Sequence, residues 1–164
     1  MDVLLAFVGL LAVLHVLYAT WTARRLDRLH ARVDAATAAL DRQLRYRAQA
    51  ALAFAPTVPG SSGRDLTTAA RAALAVGELD HDREAAESAL SRALQAVSSD
   101  VDGTLADVMM RTVYARRFHN DAVRDALTVR KRRIVRWFHL AGTARLPSFF
   151  EMDEATPDRR TIEV

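Results

Sequence analysis

The run at residues 3–21, VLLAFVGLLAVLHVLYATW, contains no formally charged residue, and it constrains how the rest of the chain can be arranged. A helix rises about 1.5 Å per residue and a bilayer's hydrocarbon core is about 30 Å thick, so roughly 20 apolar residues cross it, a length this run nearly supplies. Tyr18 and Trp21 close its far end, where amphipathic rings sit at headgroup level, and Arg24, Arg25, Arg28 and Arg32 come next. A secretory signal would carry a basic stretch ahead of a shorter apolar run. This chain opens Met1-Asp2 instead and has bulky Trp21 among its small residues. Residues 1–22 therefore read as a retained anchor in a cell (plasma) membrane. The basic C-terminal flank places the N-terminus outside and the remaining residues in the cytoplasm.

Within the anchor His15 is the one ionisable side chain, a type that is costly to desolvate. The plainer reading is a neutral imidazole hydrogen-bonded to a carbonyl or a neighbouring helix. At helical spacing Ala12, Ala19 and Ala23 share a narrow face with His15 beside it, which would let two anchors approach closely and self-associate.

The chain beyond the anchor is long enough for one bundle core, residues 23–151, and ends in a tail, residues 152–164, that reads as disordered. Cysteine is absent, which excludes disulfides and thiolate chemistry. The formal charge of +3 is modest, and Lys131 is the sole lysine beside many arginines, a bias that fits a GC-rich codon composition. Neither cofactor nor specific nucleic-acid partner is indicated, and the histidines at 15, 30, 81, 119 and 139 lack metal-ligand spacing.

Apolar residues recur at Leu26, Leu29, Val33, Ala36, Leu40, Leu44 and Phe54, mostly three or four apart and with no Pro or Gly between. This predicts an amphipathic helix over about 22–55 continuing from the anchor. Residues 56–63, PTVPGSSG, read as a loop. Asp65 is the expected N-cap of a short helix to about 76, ending near Gly77, and a second helix spans about 82–98; one long helix bent at Gly77 is the alternative. Thr104 with Asp107 forms a capping-box-like start for a last helix to about 141. Beyond it, Leu146, Phe149 and Phe150 are expected to dock back on the bundle. The fold class is all-α, an N-terminal transmembrane helix continuing into an up-and-down four-helix bundle packed through Leu, Val and many Ala.

Chemistry-bearing patterns are few. Arg83-Glu84-Ala85-Ala86-Glu87 resembles the centre of a NUDIX pyrophosphohydrolase box, but Ser88 and Leu90 stand where that box wants Glu and Gly. Acids near a helix start have an ordinary dipole explanation. No phosphate loop, Ser-His-Asp pattern or HExxH pair is present. Arg130, Lys131, Arg132, Arg133 and Arg136, with Trp137, Phe138 and His139, form the densest basic patch. Three readings stand for it: a solvated helix end complementing the dipole, a contact with anionic lipid, and a nucleic-acid contact. Asn120, a poor helix former in mid-helix, is expected to make an interhelical hydrogen bond that fixes register, and His119 to be partly exposed. Ile162-Glu163-Val164 is a weak match to a PDZ-binding end.

An anchor followed by Arg32-Val33-Asp34-Ala35-Ala36 and Leu40-Asp41-Arg42-Gln43-Leu44-Arg45-Tyr46-Arg47 resembles the opening of the LemA family. Ala115-Arg116-Arg117-Phe118-His119-Asn120-Asp121-Ala122-Val123 is similar to that family's AR-x-x-YN-x-x-V helix, and Leu146-Pro147-Ser148-Phe149-Phe150-Glu151 to its closing P-x-FFE. The chain departs from it where Thr37 replaces a Trp, where His119 replaces the Tyr, and in a shorter middle. The resemblance implies a divergent, compact member: a single span, an outside N-terminus, a cytoplasmic bundle and no catalytic residues to transfer. The expected function is thus a non-enzymatic, membrane-anchored scaffold or interaction module, whose partners are membrane lipid, a protein or a second copy. A hydrolase with an unrecognised site is the alternative.

Overall fold

The computed structural model describes residues 1–77, 81–98, 101–131 and 146–154. Among the described residues four helices succeed one another: α1 (Asp2–Phe54), α2 (Gly60–Ala75), α3 (His81–Ala96) and α4 (Gly103–Arg130), with a 3-10 turn at Ala55–Thr57. No strand occurs among the described residues, so the protein is all-α. By internal contacts it divides into two units. One comprises Met1–Asp34 and Asp121–Ser148, the other Ala35–Asn120 and Phe149–Val164.

In the first unit the start of α1 is bare. Leu11 is the least exposed of the large apolar residues between Val3 and Leu17, yet 50% of its surface is open. An uncovered apolar stretch of this extent is not tolerated in water and marks contact with lipid or another apolar surface. The helix is long and apolar enough to cross a membrane. Its polar groups near the far end are internally satisfied: Thr20 and Thr22 donate to carbonyls of Val16, Leu17 and Tyr18 at 2.8–3.0 Å. Trp21 lies 6.2 Å from Tyr18, centroid to centroid, and carries the Arg25 guanidinium 5.6 Å from its ring centre. Burial begins just beyond, at Thr22, Leu26 and Val33 on α1 and at Ala122, Val123, Ala126 and Val129 on α4. Exposed Arg32 and Asp125 link the two helices at 3.1 Å.

The second unit is a helical bundle. Ala48 and Ala51 of α1, Leu66, Ala70 and Ala73 of α2, Leu90, Leu94 and Val97 of the α3 region, and Leu105, Ala106 and Met109 of α4 share one buried cluster. So much alanine lets helices approach closely, at the cost of apolar area buried per residue.

The turn between α1 and α2 is tighter than a loop over 56–63. Pro56 opens the 3-10 turn, extended Pro59 (ψ 158°) caps α2, and Gly60 takes φ +79°, a conformation that disfavours side chains. As a result α2 starts at Gly60, five residues before Asp65. A Cβ on Gly63 would stand 2.3 Å from the Val58 carbonyl oxygen and 2.8 Å from that of Ala55, so the first turn of α2 packs directly on backbone.

The middle is two helices, not one bent at Gly77. α2 stops as Val76 becomes extended (ψ 133°), and Arg83 of α3 donates to the Val76 carbonyl at 2.6 Å. At the start of α4 the cap is Asp102, whose carboxylate accepts the Leu105 N–H at 2.8 Å, in place of the expected Thr104–Asp107 box. The end of the last helix beyond 131 and the tail from 155 on, with Ile162, Glu163 and Val164, lie outside the described residues.

Candidate functional site

The apolar stripe of α1 runs Leu40, Leu44, then Arg47, Ala48 and Ala51, so an arginine occupies a core position three residues after Leu44. On α3 the inward line is Arg83, Glu87, Leu90, Ser91 and Leu94, again with charge at buried positions. These two lines meet. Arg47 Nη2 donates to Glu87 Oε2 at 2.6 Å and to the Glu87 carbonyl at 3.1 Å, while Nη1 donates to Ser91 Oγ at 3.0 Å. Arg83 Nε donates to the other oxygen, Glu87 Oε1, at 2.9 Å, and its Nη2 lies 3.6 Å from Asp41 Oδ1. The side chains of Glu87 and Arg83 show no exposed surface and that of Arg47 only 2%.

The buried part of this cluster is two guanidinium groups on one carboxylate, and Asp41, part-exposed and bonded to Arg45 at 2.9 Å, supplies the second negative charge at its edge. Pairing and hydrogen bonding are what permit its burial, because an unpaired buried ion costs several kcal/mol. Burial pushes the Arg47 guanidinium below its ordinary range. The charge and hydrogen bond of Glu87 oppose this, and the like charge of Arg83 adds to it.

Over this cluster lies a non-helical segment that includes residues 150–154. Asn120 holds Phe150 at two points: its Nδ2 donates to the Phe150 carbonyl at 3.1 Å and its Oδ1 accepts the Phe150 N–H at 2.9 Å. The ring of Phe150 is buried with Leu40 and Leu44, and Ala115 and Met152 pack against them. A line of side chains along α3 meets the rest. Glu84 accepts the Glu151 N–H at 2.9 Å, Ser88 accepts the Asp153 N–H at 3.1 Å, and Gln95 donates to the Glu154 carbonyl at 2.7 Å. Arg116 and Arg117 of α4 pair with the Glu154 carboxylate, and Arg92 lies 3.8 Å from that of Asp153. Met152 Sδ closes the roof 4.0 Å from Arg47 Nη2.

Several expectations change here. Asn120 bonds a non-helical backbone, not a neighbouring helix. His119 is buried, at 5% exposure, with its Nδ1 3.3 Å from Thr37 Oγ1. Of the three residues expected to dock, Phe150 does so, whereas Leu146 is 68% and Phe149 40% exposed. Packing of the docked segment extends through Met152 and Glu154. The charged residues of the NUDIX-like fragment are all engaged: Arg83 and Glu87 in the buried cluster, Glu84 with Glu151. Among the described residues no group of three or more His, Cys, Asp and Glu is placed to hold a metal ion.

Ala12 and His15 are exposed on α1, and Ala19 and Ala23 are half-buried. Arg130 is half-buried at the end of α4, while Arg132, Arg133, Arg136 and Trp137 lie outside the described residues. Sequence reasoning did not find Arg47, Glu87 or the α3 line as a site. The signal that carried them was charge falling on an apolar stripe, at Leu40-Leu44-Arg47 and at Arg83-Glu87-Leu90-Leu94. No protein-family model, curated protein or solved structure matches the chain.

Proposed function

We propose that the chain is a single-pass membrane protein of the LemA type, anchored by residues 3–21, that holds a cytoplasmic helical bundle at the plasma membrane as a non-enzymatic scaffold. The observation that carries this reading is α1 itself: one helix, Asp2–Phe54, has a bare apolar start and a later portion whose Leu40, Leu44, Ala48 and Ala51 are buried in a bundle core. Anchor and bundle thus share an element. The LemA reading rests on the sequence blocks at residues 32–47, 115–123 and 146–151, and Thr37 and His119, which stand where the resemblance expects Trp and Tyr, lie 3.3 Å apart. The basic residues Arg130, Arg132, Arg133 and Arg136, with Trp137, are assigned to the anionic inner surface, where each charge contributes about 1 kcal/mol.

The absence of cysteine makes the test direct. Single-cysteine variants Asp2→Cys and Ser61→Cys are labelled in intact cells with a membrane-impermeant maleimide. The first reacts at once and the second only after permeabilisation, with the chain staying in the membrane pellet through alkaline carbonate. The opposite labelling pattern overturns the orientation, and release by carbonate overturns the anchor.

A further inference from the structure

The cleft holding residues 150–154 has features of a recognition site that go beyond burial of an apolar chain end. The backbone of a buried non-helical segment must find partners for its N–H and C=O groups. Here helix side chains supply them, from Asn120 at Phe150 to Gln95 at Glu154, with Glu84 and Ser88 between. Glu84, Ser88, Arg92 and Gln95 recur every three or four residues along α3, so the rail keeps to one helix face. Such contacts read a main chain whatever chain it belongs to, while pockets choose side chains. One pocket, formed with Leu40 and Leu44, takes an aromatic ring. Two residues on, Met152 lies on the Arg47 guanidinium. Arg92, Arg116 and Arg117 then meet two successive acids.

We infer that this cleft is a peptide-binding site, that its ligand is a partner's non-helical segment of the pattern aromatic-x-Met-acid-acid, and that residues 150–154 are a built-in competitor for it. The inference rests on the scaffold reading and names the class of partner that the scaffold takes. Charge complementarity selects the occupant, because the part-buried Arg116, with exposed Arg92 and Arg117 beside it, favours acids at the last two positions and disfavours a basic peptide. A tethered competitor reduces the apparent affinity for a free peptide by the fraction of time the cleft stands open. Weakening the chain's own segment therefore strengthens binding of the same sequence added from outside.

The probe is a labelled synthetic peptide, Ser-Phe-Phe-Glu-Met-Asp-Glu, the sequence of residues 148–154, monitored by fluorescence anisotropy on the detergent-solubilised full chain. Phe150→Ala removes the competitor's ring and leaves its pocket free. Glu154→Arg acts on a half-buried residue without touching the core, and serves where Phe150→Ala loses helical circular dichroism. Either variant binds the peptide at least tenfold more tightly than the parent. A peptide with its second Phe changed to Ala does not bind, and adding Asn120→Ala to either variant removes the gain. Equal binding by parent and folded variants, no binding by any of them, or a gain that survives Asn120→Ala overturns the inference. A chain that fails here but labels and fractionates as an anchored protein keeps its scaffold role with the cleft as a purely structural contact.

Discussion

Glu87 is the residue on which the interior of the bundle depends. Its two carboxylate oxygens serve two different arginines, Oε2 toward Arg47 and Oε1 toward Arg83, with no solvent to share the work. Removing one member of a buried ion group strands the others, at about 3–5 kcal/mol, whereas exchanging the group for apolar residues of like volume is often neutral or stabilising. Glu87→Gln preserves shape and removes only charge, so it is expected to lose about 3–5 kcal/mol in urea unfolding of the detergent-solubilised chain. The combination Arg47→Met, Arg83→Met and Glu87→Leu is expected to lose less than Glu87→Gln alone. Should the triple variant prove the less stable, the cluster is a net source of stability in place of a device that fixes how α1 and α3 meet. The buried ions were hidden in the sequence for a physical reason. Arg47 and Arg83 have the same helix propensity buried or exposed; their place on an apolar stripe marks them as candidates, and the partner that makes burial tolerable lies on a helix remote in sequence.

At the scale of elements, local pattern and long-range contact divide the work in a way the helix ends make visible. The spacing of Leu26, Leu29, Val33, Ala36, Leu40, Leu44 and Phe54, mostly three or four, was legible because burial on one face imposes it: Leu26, Val33, Leu40 and Leu44 are buried, and Leu29, Ala36 and Phe54 half-buried. The start of α2 was not, because Gly-Ser-Ser-Gly has loop composition and becomes a first turn only by packing on the carbonyls of Ala55 and Val58. Gly63→Ala tests this directly: its Cβ meets backbone oxygen at 2.3 Å and 2.8 Å, which no side-chain adjustment relieves. Overpacking of this kind costs about 1–3 kcal/mol or more. Gly60→Ala meets no atom within 4 Å but must hold φ at +79°, at about 1–2 kcal/mol. Thermal unfolding should rank Gly63→Ala as the greater loss, and the reverse order would show that the α1–α2 turn can open. At α4, Asp102→Ala should cost about 1 kcal/mol through the lost cap, with Thr104→Ala nearly silent. Docking of the last residues was half legible: an apolar pair at Phe149 and Phe150 announced it, but which ring enters is chosen by the clamp of Asn120, thirty residues earlier in the chain.

For the whole molecule, the decisive question is what covers the exposed start of α1. Two arginines placed on one face of it, Val8→Arg with Leu11→Arg, separate lipid from every other answer. Arginine is a good helix former, so in water these changes leave the helix nearly unaltered, with only a few tenths of a kcal/mol from like charges three apart. Neither position touches the buried core of the bundle, where Leu40, Leu44 and Leu66 lie. Unfolding of that core in detergent should therefore be unchanged within about 0.5 kcal/mol. In a bilayer the same pair is severe. Each arginine near the centre of a span costs about 2.5–3.5 kcal/mol, and the lost Val and Leu forfeit about 0.3–0.6 kcal/mol apiece, for a total of roughly 6–8 kcal/mol. The large apolar residues of the run, at that same contribution each, sum to only about 3–7 kcal/mol. The substitution thus matches or exceeds what inserts the helix, and the carbonate-resistant fraction should collapse while the soluble fraction keeps its helical circular dichroism. If membrane retention is undiminished, this face of α1 rests against protein or water, and the bare leucines call for a partner instead of a bilayer.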